Sequence, residues 1–154
     1  LVARTTLVKL LLNTGDANAA EQYLKPAIKS SPTLLPLRML EARTFMLAGN
    51  NQKALASLQN VTPPTSTASN PDYFALTAAI MQRLGDYKSA IALYENLLAT
   101  NNNQSTWWLG LALSLQGANQ STMALEAYKK ALSTGNLTPA LQTFINSKIS
   151  SLGG

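Results

Sequence analysis

The sequence predicts an all-α protein, four helical hairpins in succession closed by one further helix. Three observations carry that prediction. A turn-then-alanine pattern recurs four times, with its alanines at Ala20, Ala54, Ala90 and Ala124, spaced 34, 36 and 34 residues apart. Each alanine is followed four residues later by a large side chain, Leu24, Leu58, Tyr94 or Tyr128, and three further on by Ala27, Val61, Leu97 or Ala131. A unit of about 34 residues is the right length for two helices of three to four turns and two short turns.

The units run 1–34, 35–70, 71–104 and 105–138. In the first three, Gly15, Gly49 and Gly85 stand where the first helix ends, a place that favours a left-handed backbone. Asp16, Asn50 and Asp86 follow and can cap the second helix; in the fourth unit Asn119 and Gln120 take these two places. The recurrent alanine is small enough for the second helix to cross the first closely, and the large residue four on lies one turn along the same face. From Val61 to Pro71 the chain carries three prolines and no charge, so it reads as an extended loop within the array, holding the two-residue insertion, and not as a domain boundary. Pro139 opens a last helix reaching residue 152, with Leu141, Phe144, Ile145, Ile149 and Leu152 forming one apolar face. A single closing helix over 139–152 is what an array of hairpins needs to cover its exposed end.

Composition narrows the functional classes. The 154 residues fit one domain. Charged residues are only 12% of the chain against 46% apolar, so uncharged polar groups must supply much of the surface. With no Cys and no His, the usual metal ligands, the thiol nucleophile and the imidazole base are all missing. Phosphate-binding glycine loops and Ser-x-x-Lys are missing too. The seven carboxylates are scattered, and Asp16, Asp72 and Asp86 read as helix caps in preference to acid catalysts. No catalytic residue, metal or cofactor is expected. The net charge of +5 leans towards acidic partners, yet only Lys129 and Lys130 are contiguous, so nucleic acid is not expected. No apolar run approaches the roughly 18–20 residues that span a bilayer, and no membrane contact is expected of these residues. The chain starts at Leu1 and not Met, which reads as an excised or processed piece.

The repeat resembles the tetratricopeptide repeat, whose signature is W-x2-L-G-x2-Y, then A-x3-F, then P. The A-x3-F half matches in all four units. The first half fits best at Trp108, Leu111, Ala112 and Leu115, then at Phe74, Thr77, Ala78 and Met81, and at Arg4, Leu7, Val8 and Leu11, with Pro32 as the closing proline. Arg38, Glu41, Ala42 and Phe45 in the second unit fit least well, making its first helix the weakest expectation. The resemblance implies a right-handed solenoid that binds a protein segment in its concave groove without catalysis. The groove positions of the family fall on Thr5, Lys9, Leu12 and Asn13, on Met39, Arg43 and Met46, and on Ala75, Ala79, Gln82, Arg83, Leu109, Leu113 and Gln116. The family's carboxylate clamp for chaperone tails falls on Thr5, Lys9, Leu40, Asp72 and Leu76, so that clamp is absent.

A narrower resemblance covers the last third. Trp107-Trp108-Leu109-Gly110-Leu111-Ala112-Leu113, the stretch Ala124 to Leu132, and Leu137 to Leu141 are similar to MshN-like proteins of type IV (MSHA) pilus biogenesis in bacteria. That resemblance implies a pilus assembly component as partner, a periplasmic location, and an inner-membrane anchor upstream of this piece. The alternative is a repeat module of a cytoplasmic regulator or of a larger enzyme. Trp108 takes a core place, whereas Trp107, about 100° round the helix, could pack or anchor a partner. Met39 and Met46 share the face of Arg43 and could pack between repeats or present an adaptable peptide surface.

Overall fold

The structure, a computed structural model, describes residues 2–154; Leu1 lies outside the described residues. These residues form nine α-helices and no strand. Four hairpins follow one another: α1 (Val2–Asn13) with α2 (Ala17–Ser30), α3 (Leu35–Leu47) with α4 (Asn51–Gln59), α5 (Pro71–Arg83) with α6 (Tyr87–Thr100), and α7 (Ser105–Gly117) with α8 (Ser121–Thr134). The last helix, α9, spans Pro139–Ser151. The chain divides into two compact units, one reaching Thr65 and the other Ser66–Gly154, and the division falls within the proline-bearing loop.

Turn chemistry sets the helix boundaries as the sequence predicts. Gly15, Gly49 and Gly85 have φ of +83°, +80° and +84°, and Asn119 takes the same left-handed region at +62° in the fourth hairpin. The side chains of Asp16, Asn50 and Asp86 accept from the backbone N–H of Ala19, Lys53 and Ser89, each three residues on. Gln120 makes no such bond. Asp72 is corrected: α5 has Asn70 at its N-cap and Pro71 at its first position, and Asp72 sits in the first turn. There its charge suits the helix dipole without capping a donor.

The recurrent positions form the cores. Ala20, Ala54, Ala90 and Ala124 are fully buried, as are Tyr128 and Leu97, and Leu24, Leu58 and Tyr94 nearly so. In the first unit Val8, Leu24, Leu37 and Leu40 pack together with Ala20 and Ala27. In the second, Tyr94, Leu97, Leu111, Leu115, Tyr128 and Ile145 belong to one cluster. Here α6 and α7 run so close that a Cβ on Gly110 would lie 2.2 Å from the Tyr94 ring, and one on Gly117 2.3 Å from the Tyr87 ring. Two tyrosines seven residues apart thus seat on two glycines seven residues apart in the antiparallel neighbour. No side chain larger than glycine fits under either ring.

The closing helix is present, with one correction to its face. Ile145 is buried, and Ile149 and Leu152 pack on the second unit's core. Phe144 instead stays exposed beneath the Lys148 ammonium, which lies 5.5 Å from its ring centroid. One residue separates Phe144 from the packed stripe, and the resulting 100° turn carries it outwards.

Candidate protein-binding surface

The weakest expected helix shows how the repeat tolerates its own variation. In the fourth hairpin Trp108 donates its indole N–H to the carbonyl of Asn102, 2.8 Å away and six residues back. In the second, Arg38 takes the same place and donates Nε–H to the carbonyl of Pro32, 2.6 Å away and also six residues back. Its Nη1 pairs with Glu41 at 2.7 Å, so the W and L places are filled by one half-buried ion pair. A guanidinium is planar and carries a ring-like N–H donor, which is what this position requires. Arg38 therefore supports the repeat and is not available as a binding cation.

With Arg38 and Glu41 paired to each other, the outward face of α3 is well defined. Leu37, Leu40, Ala42 and Thr44 are buried, and Thr44 turns its hydroxyl back to the carbonyl of Leu40 at 2.8 Å. Between these buried rows emerge Met39, Arg43 and Met46, with Arg43 exposed and both methionines half-buried. Leu47, 44% exposed, completes the stripe one turn beyond Arg43. The sequence reading missed Leu47, although it lies i+4 from Arg43 and so on the same face. Met39 and Met46 belong to neither core cluster.

Beside it, α1 packs against α3. It presents exposed Lys9 and Asn13 and half-buried Thr5 and Leu12. Thr5 is turned partly inwards, its hydroxyl donating to the carbonyl of Val2 at 2.9 Å, while Leu12 packs on the unit's core. Thr5, Lys9 and Asn13 on one helix, and Met39, Arg43 and Met46 on the next, thus belong to one unit.

The second unit offers a different surface on α5 and α7, which also pack together. Ala75, Leu109 and Leu113 are half-buried and lean on the core, as does Trp107. Trp107 is therefore a packing residue over part of its surface. Gln82 is half-buried and Arg83 exposed. Burial pushes the Tyr94 hydroxyl up to about 12, and the positive charge of Arg83 opposes this. Gln116 is held in place because its Oε1 accepts from the Tyr128 hydroxyl at 2.5 Å. Burial also lifts Tyr128 to about 12. A glutamine fixed in this way offers a partner its NH2 donor and little freedom.

Among the described residues no group of acidic side chains could hold a metal ion, and no helix is long and apolar enough to cross a membrane. The two surfaces differ in chemistry: one is cationic and methionine-bearing, the other nearly neutral and aliphatic.

Stacked helical hairpins with such faces define the class of repeat scaffold to which the tetratricopeptide proteins belong. Two models of the tetratricopeptide repeat match the chain, over residues 3–80 and 82–137, and the chain belongs to this family. Its fold is similar to the solved structure titled "Crystal structure of MamA", with TM-score 0.71 and 18% identity, covering 94% of this chain and 81% of that one. A second, "Crystal structure of MamA protein", gives 0.71 and 17% over 99% and 82%. A third, "MamA RS-1 ArsTM double mutant", gives 0.66 and 15% over 97% and 92%. At such identities the likeness is one of fold. No curated protein matches the sequence significantly.

Proposed function

We propose that this chain is a non-catalytic scaffold that holds a segment of a partner protein on the first-helix faces of its hairpins. The observation that carries this reading is the stripe of Met39, Arg43, Met46 and Leu47 on α3. It stays accessible on a helix whose flanking rows are buried, and it mixes flexible apolar groups with a charge. Thr5, Lys9 and Asn13 extend it in the first unit, and Gln82, Arg83, Leu109, Leu113 and Gln116 are the corresponding candidates in the second. A photo-crosslinking residue placed at Arg43 or Leu113, in the organism that makes the protein, should trap a protein partner. The same residue at Lys53 or Lys130, on second helices, should not. Crosslinks arising only from the second helices would overturn the assignment.

The finer assignment is to type IV (MSHA-like) pilus biogenesis, on the periplasmic side of an upstream inner-membrane anchor. Its support is the similarity of Trp107 to Leu113 and of the segments 124–132 and 137–141 to MshN-like proteins. Deleting the gene should remove surface pili, and restoring it should return them. Normal piliation in the deletion strain would refute this assignment while leaving the scaffold reading intact.

A further inference from the structure

The charge of the chain is unevenly placed. Residues up to Thr65 carry seven Lys and Arg against three Asp and Glu, a net charge of +4. The unit from Ser66 carries five against four, or +1. The three carboxylates of the first unit are all engaged: Asp16 caps α2, Glu21 pairs with Lys25 at 3.4 Å, and Glu41 pairs with Arg38. Lys53 lies over the Phe45 ring, 5.6 Å from its centroid. Lys9 and Arg43 are exposed, and neither is paired with a carboxylate among the described residues. They sit at the same place in successive repeats, on α1 and α3, which pack side by side.

We infer that the α1–α3 face of the first unit selects an acidic protein segment, its carboxylates meeting Lys9 and Arg43 and its apolar side chains resting on Met39, Met46 and Leu47. This rests on the scaffold reading and adds the chemistry of the partner. Helices in contact are about 8–10 Å apart. A segment in the polyproline II conformation advances about 3.1 Å per residue with three residues per turn, so acidic residues three apart face the same way and match the two cations. Arg43 can take a carboxylate in a two-pronged grip, and Lys9 adds a point charge. Nucleic acid fits this face less well. Stacking on bases needs exposed aromatics, whereas the face has only Thr, Leu, Asn, Lys, Arg and Met; the unit's exposed Tyr23 is on α2.

The test uses the whole chain and a short fluorescent peptide with Glu at every third position and Leu and Ser between. Its Gln-for-Glu counterpart and a single-stranded oligothymidylate serve as competing probes. The acidic peptide should bind at least tenfold more tightly than the Gln peptide, and binding should weaken as salt rises, because exposed charges are screened over about 10 Å at 0.1 M. Lys9→Glu with Arg43→Glu should abolish that preference with the melting curve unchanged, while Lys129→Glu with Lys130→Glu on α8 should preserve it. If the Gln peptide binds as tightly and the groove pair weakens both, acidic selectivity is refuted and the scaffold reading stands. If the α8 pair abolishes binding and the groove pair does not, the surface itself is wrongly placed. Tighter binding of oligothymidylate than of the acidic peptide would overturn the proposal in favour of a nucleic-acid partner.

Discussion

At Gly110 the packing depends on a missing methyl group. A Cβ there would lie within 2.2–2.6 Å of two ring carbons and the hydroxyl oxygen of Tyr94, so Gly110→Ala must push α6 and α7 apart or turn the ring. We expect a loss of about 1–3 kcal/mol in urea unfolding, the usual range for overpacking; an unchanged midpoint would contradict the seam. Nothing local in the sequence announces this glycine. Its role comes from a tyrosine sixteen residues earlier in the chain, and the repeat register points instead to Ala112. Tyr94 and Tyr128 also make stability depend on alkaline pH. Burial raises both to about 12 from an ordinary value of 10.0, so the folded state keeps protons that the unfolded chain has released. The stabilisation is complete below pH 10 and is lost as pH rises towards 12, at about 1.4 kcal/mol per pKa unit for each group. Denaturant midpoints followed upwards from neutral pH should fall through this window. Tyr94→Phe with Tyr128→Phe should flatten the fall, and an equally steep curve would assign it to other groups.

At the scale of one helix, α3 tests how far a repeat can leave its consensus. The alanine, capping and turn signals of this second repeat, carried by Ala54, Asn50 and Gly49, were legible, because backbone geometry and close crossing leave few residue choices at those places. Its W and L places were not. The sequence shows two charges there, and only the fold brings Arg38 Nε to the Pro32 carbonyl and Nη1 to Glu41. Arg38→Ala should cost about 1–3 kcal/mol, since it leaves a half-buried carboxylate and a carbonyl without their donors. The double change Arg38→Trp with Glu41→Leu restores an indole donor and removes the charge that needed pairing. Replacing a buried ion pair by apolar groups of similar size is often neutral or stabilising, so this variant should melt no lower than the parent. A marked drop would show that Arg38 does more than stand in for tryptophan.

Over the whole molecule, helix order and core were legible because the 34-residue period is imposed by packing on every repeat. Which surface residues stay accessible was not, because exposure is decided by neighbours that the period does not name; Leu47 and Phe144 are both cases. The loop around the division at Thr65 and Ser66 is mostly exposed and joins two units with cores of their own, so limited proteolysis should cut first between 62 and 70. First cuts inside a helix would contradict that division. The far end depends on α9. Ile145 is fully buried, and Ile149 and Leu152 lean on the cluster that holds Leu111, Leu115 and Tyr128. Each large apolar side chain fully removed from water contributes about 1.5–3 kcal/mol, so deleting 139–154 should cost more than any single substitution named above. Its removal also uncovers the apolar side of the last hairpin, which should fray or associate. Amide exchange should accelerate across 105–134, and sedimentation should show self-association. A truncated chain that stays monomeric, with exchange unchanged in α7 and α8, would mean that the second unit's core is complete without its closing helix.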